Sequence, residues 1–258
     1  MKNRMLSVLA ISLVTLLHID PAAAQNSRSW VSSLGSDANP CTRTQPCLTF
    51  PGAISKTNTG GEINCLDQGG FNLVMVEINK SVSIRCVGVT AGVQIGLLQQ
   101  AAILVNAPSG SEVLLEGLDI DGNGNAIPGI DGVRIISATR VTIQNCSIRN
   151  FAGSGVNLAG PLGARVVIAD STILSNNVGL SIGGTGGAAN VGILLRTIID
   201  NHPAASVTVA AGSTVFMSGA KLFGSPTSVS VAAGATFTSF GDNAIQVAGN
   251  PSFTIPLR

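Results

Sequence analysis

The stretch from Val141 to Asn177 writes one short design twice. Val141-Thr142-Ile143-Gln144-Asn145-Cys146-Ser147-Ile148 is followed by Val166-Val167-Ile168-Ala169-Asp170-Ser171-Thr172-Ile173, and 166 − 141 is a period of 25. Val191-Gly192-Ile193, continuing through Thr197-Ile198, lies another 25 residues on, and Val113-Leu114-Leu115 with Ile120 lies 28 residues before the first copy. Apolar and polar residues alternate within each copy, as they do in half-buried strands. A unit this short cannot bury its apolar face alone, so copies must stack on one another to make a continuous core. Near the end Val207-Thr208-Val209-Ala210-Ala211-Gly212 returns as Val229-Ser230-Val231-Ala232-Ala233-Gly234, and 229 − 207 is 22, so the last coils have shorter loops. Phe253-Thr254-Ile255-Pro256 is placed to close the stack, with Pro256 blocking further strand pairing.

The chain begins with Lys2 and Arg4, an apolar run from Met5 to Leu17, and then Pro21-Ala22-Ala23-Ala24-Gln25. These are the charged, apolar and small-residue regions of a secretory signal, with cleavage expected after Ala24. The apolar run falls short of the ~20 residues that a helix needs to span lipid. The expected location is therefore secreted, periplasmic or cell surface, with no membrane span in the mature chain. Removing residues 1–24 takes away Lys2, Arg4 and Asp20, so 14 − 2 leaves 12 basic and 13 − 1 leaves 12 acidic residues. A neutral chain without basic clusters is not built to hold nucleic acid or an anionic membrane by field strength.

Three segments follow from these signals: a signal peptide over 1–24, an N-terminal cap over 25–59 and a domain of stacked coils over 60–258. The cap contains Trp30, the Pro40-Cys41 and Pro46-Cys47 turns, and Ala53-Ile54-Ser55-Lys56 as the one plausible helical turn. From Gly60 the coils begin; Gly88 to Asn106 is less regular and reads as a longer loop or an imperfect coil. Cys41 and Cys47 flank a short loop, and Cys65 and Cys86 are 21 residues apart, close to one coil. Stacked coils place equivalent residues about 4.8 Å apart, within reach of a disulfide. The expected pairs are Cys41–Cys47 and Cys65–Cys86, with Cys146 a buried free thiol.

The motif Gly-Val/Leu-x-Ile/Leu, a turn, Val-x-Ile, two or three polar residues, Ile, then Asn or Gly recurs from roughly Gly60 to Gly249. It resembles the right-handed parallel β-helix proteins of the pectin-lyase-like superfamily. Asp37-Ala38-Asn39-Pro40-Cys41 with Pro46-Cys47-Leu48-Thr49-Phe50 and Ala53-Ile54 is similar to the cysteine-bearing cap of exported bacterial β-helix proteins of unassigned activity. The resemblance implies an all-β solenoid with a short N-terminal capping helix. It constrains activity little, because the superfamily mixes lyases, hydrolases, epimerases, tailspikes and passive surface proteins.

Glycoside hydrolases of that superfamily flank the scissile bond with paired carboxylates, and their Asn-Thr-Asp, Asp-Asp and Gly-His-Gly signatures are absent. Its lyases bind calcium through clustered acids and use Arg or Lys as base on the outside of one sheet. For that role the candidates are Asp131, Arg134, Arg149, Arg165 and Asp170, which would have to converge in one cleft; otherwise they are solvated surface charges, and Arg134 and Arg165 are replaceable at little cost to folding. Asp119-Ile120-Asp121-Gly122-Asn123-Gly124 has the spacing of half a calcium loop, making Asp119, Asp121 and Asn123 the candidate ligands. Ile130 stands where the loop's bidentate Glu would be, which favours a plain Gly/Asn turn. Among His, only His202 remains in the mature chain, and its Asn201-His202-Pro203 turn places it in solvent. The chain has no Tyr and one Trp, so it lacks the aromatic platforms of sugar-stacking faces. These features favour a cell-surface or extracellular scaffold or binding protein with an extracellular polysaccharide as partner. The alternative is a polysaccharide lyase or glycoside hydrolase.

Overall fold

A computed structural model describes residues 26–72, 74–95, 100–124, 128–161, 163–184, 189–246 and 253–255, the last three as backbone. The signal-peptide segment, Asn125 and Pro256 lie outside the described residues. The chain is a right-handed parallel β-helix. Each coil contributes one strand to each of three parallel sheets, here called A, B and C. Arg140–Gln144, Ser147–Arg149 and Ser154–Leu158 form one coil, and Arg165–Ala169, Thr172–Leu174 and Val178–Ile182 form the next. Sheet A has 10 strands, sheet B 8 and sheet C 7.

The register is the one the 25-residue period requires. Val141 pairs with Val166 and Ile143 with Ile168 in sheet A, while Ile148 pairs with Ile173 in sheet B. Because side chains alternate along a strand, one set of columns points inward from every coil. Leu115, Ile143, Ile168, Leu194 and Met217 form such a column and are fully buried. Residues at even steps between them, such as Thr142 and Val167, point out.

Corners between sheets need backbone that bends sharply. Between sheets A and B the equivalent positions Gly117, Asn145, Asp170, Arg196 and Gly219 all have positive φ, from 47 to 74°. Gly and Asn tolerate that conformation. At Gly117 there is a second reason, since a Cβ there would lie 2.4 Å from the Cys86 carbonyl oxygen.

The N-terminal end is covered as a stack of coils demands. Helix Phe50–Lys56 starts at Thr49, whose hydroxyl accepts from the Gly52 N–H at 3.0 Å. It buries Phe50, Ala53 and Ile54 against the first coils, with the Phe50 and Phe71 rings 5.4 Å apart. The disulfides are Cys41–Cys47 and Cys65–Cys86, with Cα separations of 4.7 and 4.9 Å, and Cys146 is free and buried. Two disulfides fit a chain that folds in an oxidising compartment. Among the described residues no helix is long and apolar enough to cross a membrane.

Two expectations need correction. Gly88 to Asn106 holds two regular strands among its described residues: Ala91–Gln94 and Ala101–Asn106 take their places in sheets B and C against Leu118–Asp121 and Asp131–Ser137, the second with a register shift between Ile135 and Ser137. The alternation is weaker there because small alanines, Ala91, Ala101 and Ala102, occupy buried positions. His202 is not solvated but fully buried. It stacks in the B–C corner above Asn176, whose N–H donates to His202 Nδ1 at 3.2 Å, while Nε2 lies 3.2 Å from the Ile173 carbonyl oxygen. The Asn176 side chain in turn accepts from the Phe151 N–H at 3.0 Å, and the Ser225 hydroxyl accepts from the His202 N–H at 3.2 Å. The turn sequence showed a corner; the solenoid turned that corner's side chain inward, where each ring nitrogen needs a backbone partner.

Candidate functional site

The outward columns carry the charged side chains, and the three sheets treat them differently. On sheet C, Arg134 lies beside Leu104 and Asn157 in adjacent strands. Its Nε donates to Asp131 Oδ2 at 2.7 Å. Asp131 is only 1% exposed. Its Oδ1 accepts the Ser154 N–H at 2.8 Å and its Oδ2 also accepts from Asn157 at 3.0 Å. Those three hydrogen bonds tie together two coils, so Asp131 and Arg134 act as a structural pair.

On sheet B, Asp119, Ser147 and Thr172 occupy one outward column, and Asp121, Arg149 and Leu174 the next. The Arg149 guanidinium is held by both Asp119 oxygens and lies 3.0 Å from Asp121 Oδ2. These hydrogen bonds hold the Arg149 pKa above its ordinary value, Asp119 contributing most, against partial desolvation. Asp121 Oδ1 also accepts from the Asn123 N–H at 2.9 Å and from Asn150 at 3.0 Å. The residues nominated as calcium ligands and one nominated as a lyase base are therefore partners of each other. Calcium does not fit this donor set: the oxygens it would need face a guanidinium, and no group of three or more His, Cys, Asp or Glu gathers elsewhere among the described residues.

Asp170 sits at the A–B corner and is bound bidentately by Arg196, with contacts of 2.6 and 2.7 Å. This pairing holds the Asp170 carboxyl below the usual range. With Arg165 on sheet A, the five nominated residues are divided among three sheet faces and one corner and do not converge in one cleft. The free thiol does not add a nucleophile either, since burial pushes Cys146 up to about 11.

Sheet A differs. Near its N-terminal end the outward charges are paired: Glu62 with Arg28 at 3.1 Å, and Arg85 with Glu116 at 2.8 Å. Further along, Arg140 and Arg165 stand next to each other in register and are exposed. Among the described residues of the coils these two arginines have no ion pair or side-chain hydrogen bond; Arg28, Arg85, Arg134, Arg149 and Arg196 all do. Glu112 is in register with Arg140 on its other side, yet no ion pair joins them. A groove of about 390 Å³ runs between Arg140, Gly163, Arg165 and Val191. A second hollow of about 270 Å³ borders Arg140 at Glu112, Leu114 and Thr142.

Arg165 was a nominated residue; Arg140 was missed. The signal for it was present, because 165 − 140 is again 25 and each arginine immediately precedes the Val that opens its repeat. What the sequence did not show is that these two, unlike the others, form no ion pair.

A family model described as the right handed beta helix region matches residues 99–252. Solved structures of similar fold include an alginate lyase from Paenibacillus sp. str. FPU-7, 14% identical, with 86% of this chain and 83% of that chain covered and a TM-score of 0.54. A pectate lyase, Pel9A, is 13% identical over 88% of this chain and 78% of that one, at a TM-score of 0.46. A rhamnogalacturonan lyase is 14% identical over 89% and 66% respectively, at 0.48. No curated protein matches the chain. At such identities the likeness to the solved structures is one of fold. The family match spans more than half of the residues and falls on the repeats from which the three sheets are built, so this chain belongs to the right-handed β-helix family.

Proposed function

We propose that this protein binds an acidic extracellular polysaccharide along the outer face of sheet A, with Arg140 and Arg165 receiving its anionic groups. The observation that carries the reading is the pair of in-register guanidiniums without acidic partners, set on a rigid sheet and bordered by grooves. Adjacent strands are ~4.8 Å apart, so two donor forks are presented in a row, and each fork suits a planar carboxylate. With one Trp and no Tyr in the chain, recognition rests on charge and hydrogen bonding rather than on ring stacking. The fold it shares with an alginate lyase is compatible with an acidic polymer lying along the solenoid. Binding without cleavage is favoured because the remaining candidate acids and bases are tied to one another on other faces.

The test is affinity electrophoresis through gels containing alginate, polygalacturonate or uncharged dextran, at low and high salt. Retardation by one or both acidic polymers, weakened by salt and lost in the Arg140→Ala/Arg165→Ala double variant, is the expected result. The same mixtures, followed by ultraviolet absorbance for unsaturated sugar products, address the lyase alternative. Retardation that is unchanged in the double variant overturns the proposal.

A further inference from the structure

The columns that hold Arg140 and Arg165 do not stay charged. In the next strand Arg165 is followed by Val191, Val167 by Ile193 and Ala169 by Leu195. One strand further, Ile193 is followed by Phe216. These are outward positions of a sheet whose inward columns are already filled. Val191, Ile193 and Leu195 are half-buried only, and Phe216 is 37% exposed. Around the A–B corner Ile198 adds another exposed aliphatic side chain, 38% exposed. Outward strand positions on a solvated sheet are ordinarily polar, and a contiguous apolar patch on such a face marks a contact site.

From this we infer, resting on the proposed binding of an acidic polysaccharide, that the polymer carries apolar substituents such as acyl groups, which the Val191, Ile193 and Phe216 surface receives while Arg140 and Arg165 hold the acid groups. Continuity is the first argument. The patch begins in the strand next to Arg165, with Val191 in the arginine column and Ile193 and Phe216 in the outward column beside it, and Phe216 lies three strands from Arg140, ~14 Å along the axis at ~4.8 Å per strand. A chain lying along the solenoid meets both surfaces in turn. Charge is the second argument: two unpaired cations at the head of the patch select an occupant that is anionic as well as partly apolar. An unsubstituted polyuronate would leave the aliphatic half uncovered.

The probes are sodium alginate and the same alginate after chemical O-acetylation, which keeps its length and charge and adds methyl groups. Native protein should bind the acetylated form about fourfold more tightly for each methyl covered, the effect of removing one such group from water. The Ile193→Thr/Phe216→Thr variant puts a residue of good strand propensity at both positions and should lose that preference while binding plain alginate as before, with its melting temperature reported alongside. Equal, salt-sensitive binding of both forms by native protein overturns the inference and leaves the proposed function standing. Absence of binding to either form overturns both. Sedimentation of native protein supplies the last outcome: a dimer that the Ile193→Thr/Phe216→Thr change dissociates would make the patch an interface between copies and sink the inference.

Discussion

Arg134 on sheet C and Arg165 on sheet A occupy outward positions two coils apart and look alike in the sequence. Arg134 closes onto a nearly inaccessible Asp131, whereas Arg165 reaches no acid at all. The difference teaches that an arginine on a solenoid belongs either to the fold or to a ligand, according to whether a carboxylate closes on it, from its own strand as at Arg134 or from an adjacent coil as at Arg149. The arginines Arg149 of sheet B and Arg134 of sheet C are held by carboxylates of their own sheets; the middle of sheet A keeps two arginines for something else.

The largest effect should come from beneath the free pair. Ile168 points inward from the strand Arg165–Ala169 and is fully buried between Ile143 and Leu194. Ile168→Asp places a charge in that dry column, costing several kcal/mol, and the damage should spread because each coil supports the next. Urea unfolding should show a much lower midpoint, together with loss of polysaccharide retardation. A midpoint within experimental error of the native one would break the account of the core on which the sheet A face rests.

Next in size is Arg134→Ala. It was expected to be nearly silent as a solvated charge; the buried Asp131 makes that untenable. With Ser154 and Asn157 still donating to Asp131, the loss should be about 2 kcal/mol, seen as a lower melting temperature with the affinity for acidic polymer retained. A silent Arg134→Ala would remove the contrast between the two faces.

The buried His202 gives an effect of acidity away from both arginines. Desolvation lowers its pKa below the ordinary value near 6.5, outweighing its backbone hydrogen bonds and the nearby Asp200. Because the folded state disfavours the charged ring, its contribution is fully present above about pH 6.5 and is lost as pH falls below that value. Stability should therefore decline between about pH 7 and pH 5, and His202→Asn should flatten that decline whatever its effect at neutral pH. An unchanged slope in the variant would mean that another group titrates.

The smallest effect on stability belongs to the free pair. Arg140→Ala and Arg165→Ala should each stay within about 0.5 kcal/mol of the native protein, because no partner is left unpaired. Thermal melts of both variants beside Arg134→Ala sharpen the comparison directly: silence at Arg165 with loss at Arg134 separates a displayed arginine from a structural one.

Much of this was legible before any coordinates. The spacing of Val141, Ile143 and Ile148 from Val166, Ile168 and Ile173 predicted the stacking, because a parallel register leaves one pairing in which every apolar side chain points inward. A first coil of 21 residues placed Cys65 over Cys86. The identity of Thr49 and Pro51 suits the start of the capping helix, although the sequence reading began that helix three residues too late, at Ala53. His202 was misplaced because a turn sequence gives the corner and not the direction of its side chain.

The candidate site was legible only in part. Repetition by itself determined that Arg140 and Arg165 would share a column, since residues 25 apart must stack when the coil is 25 long. Tertiary structure alone decided which arginines are free. Asp119 and Arg149 are 30 residues apart and meet on sheet B, while Glu112 and Arg140 are in register on sheet A and form no ion pair. Side-chain reach across a few ångströms makes that choice, and coil spacing carries no information about it.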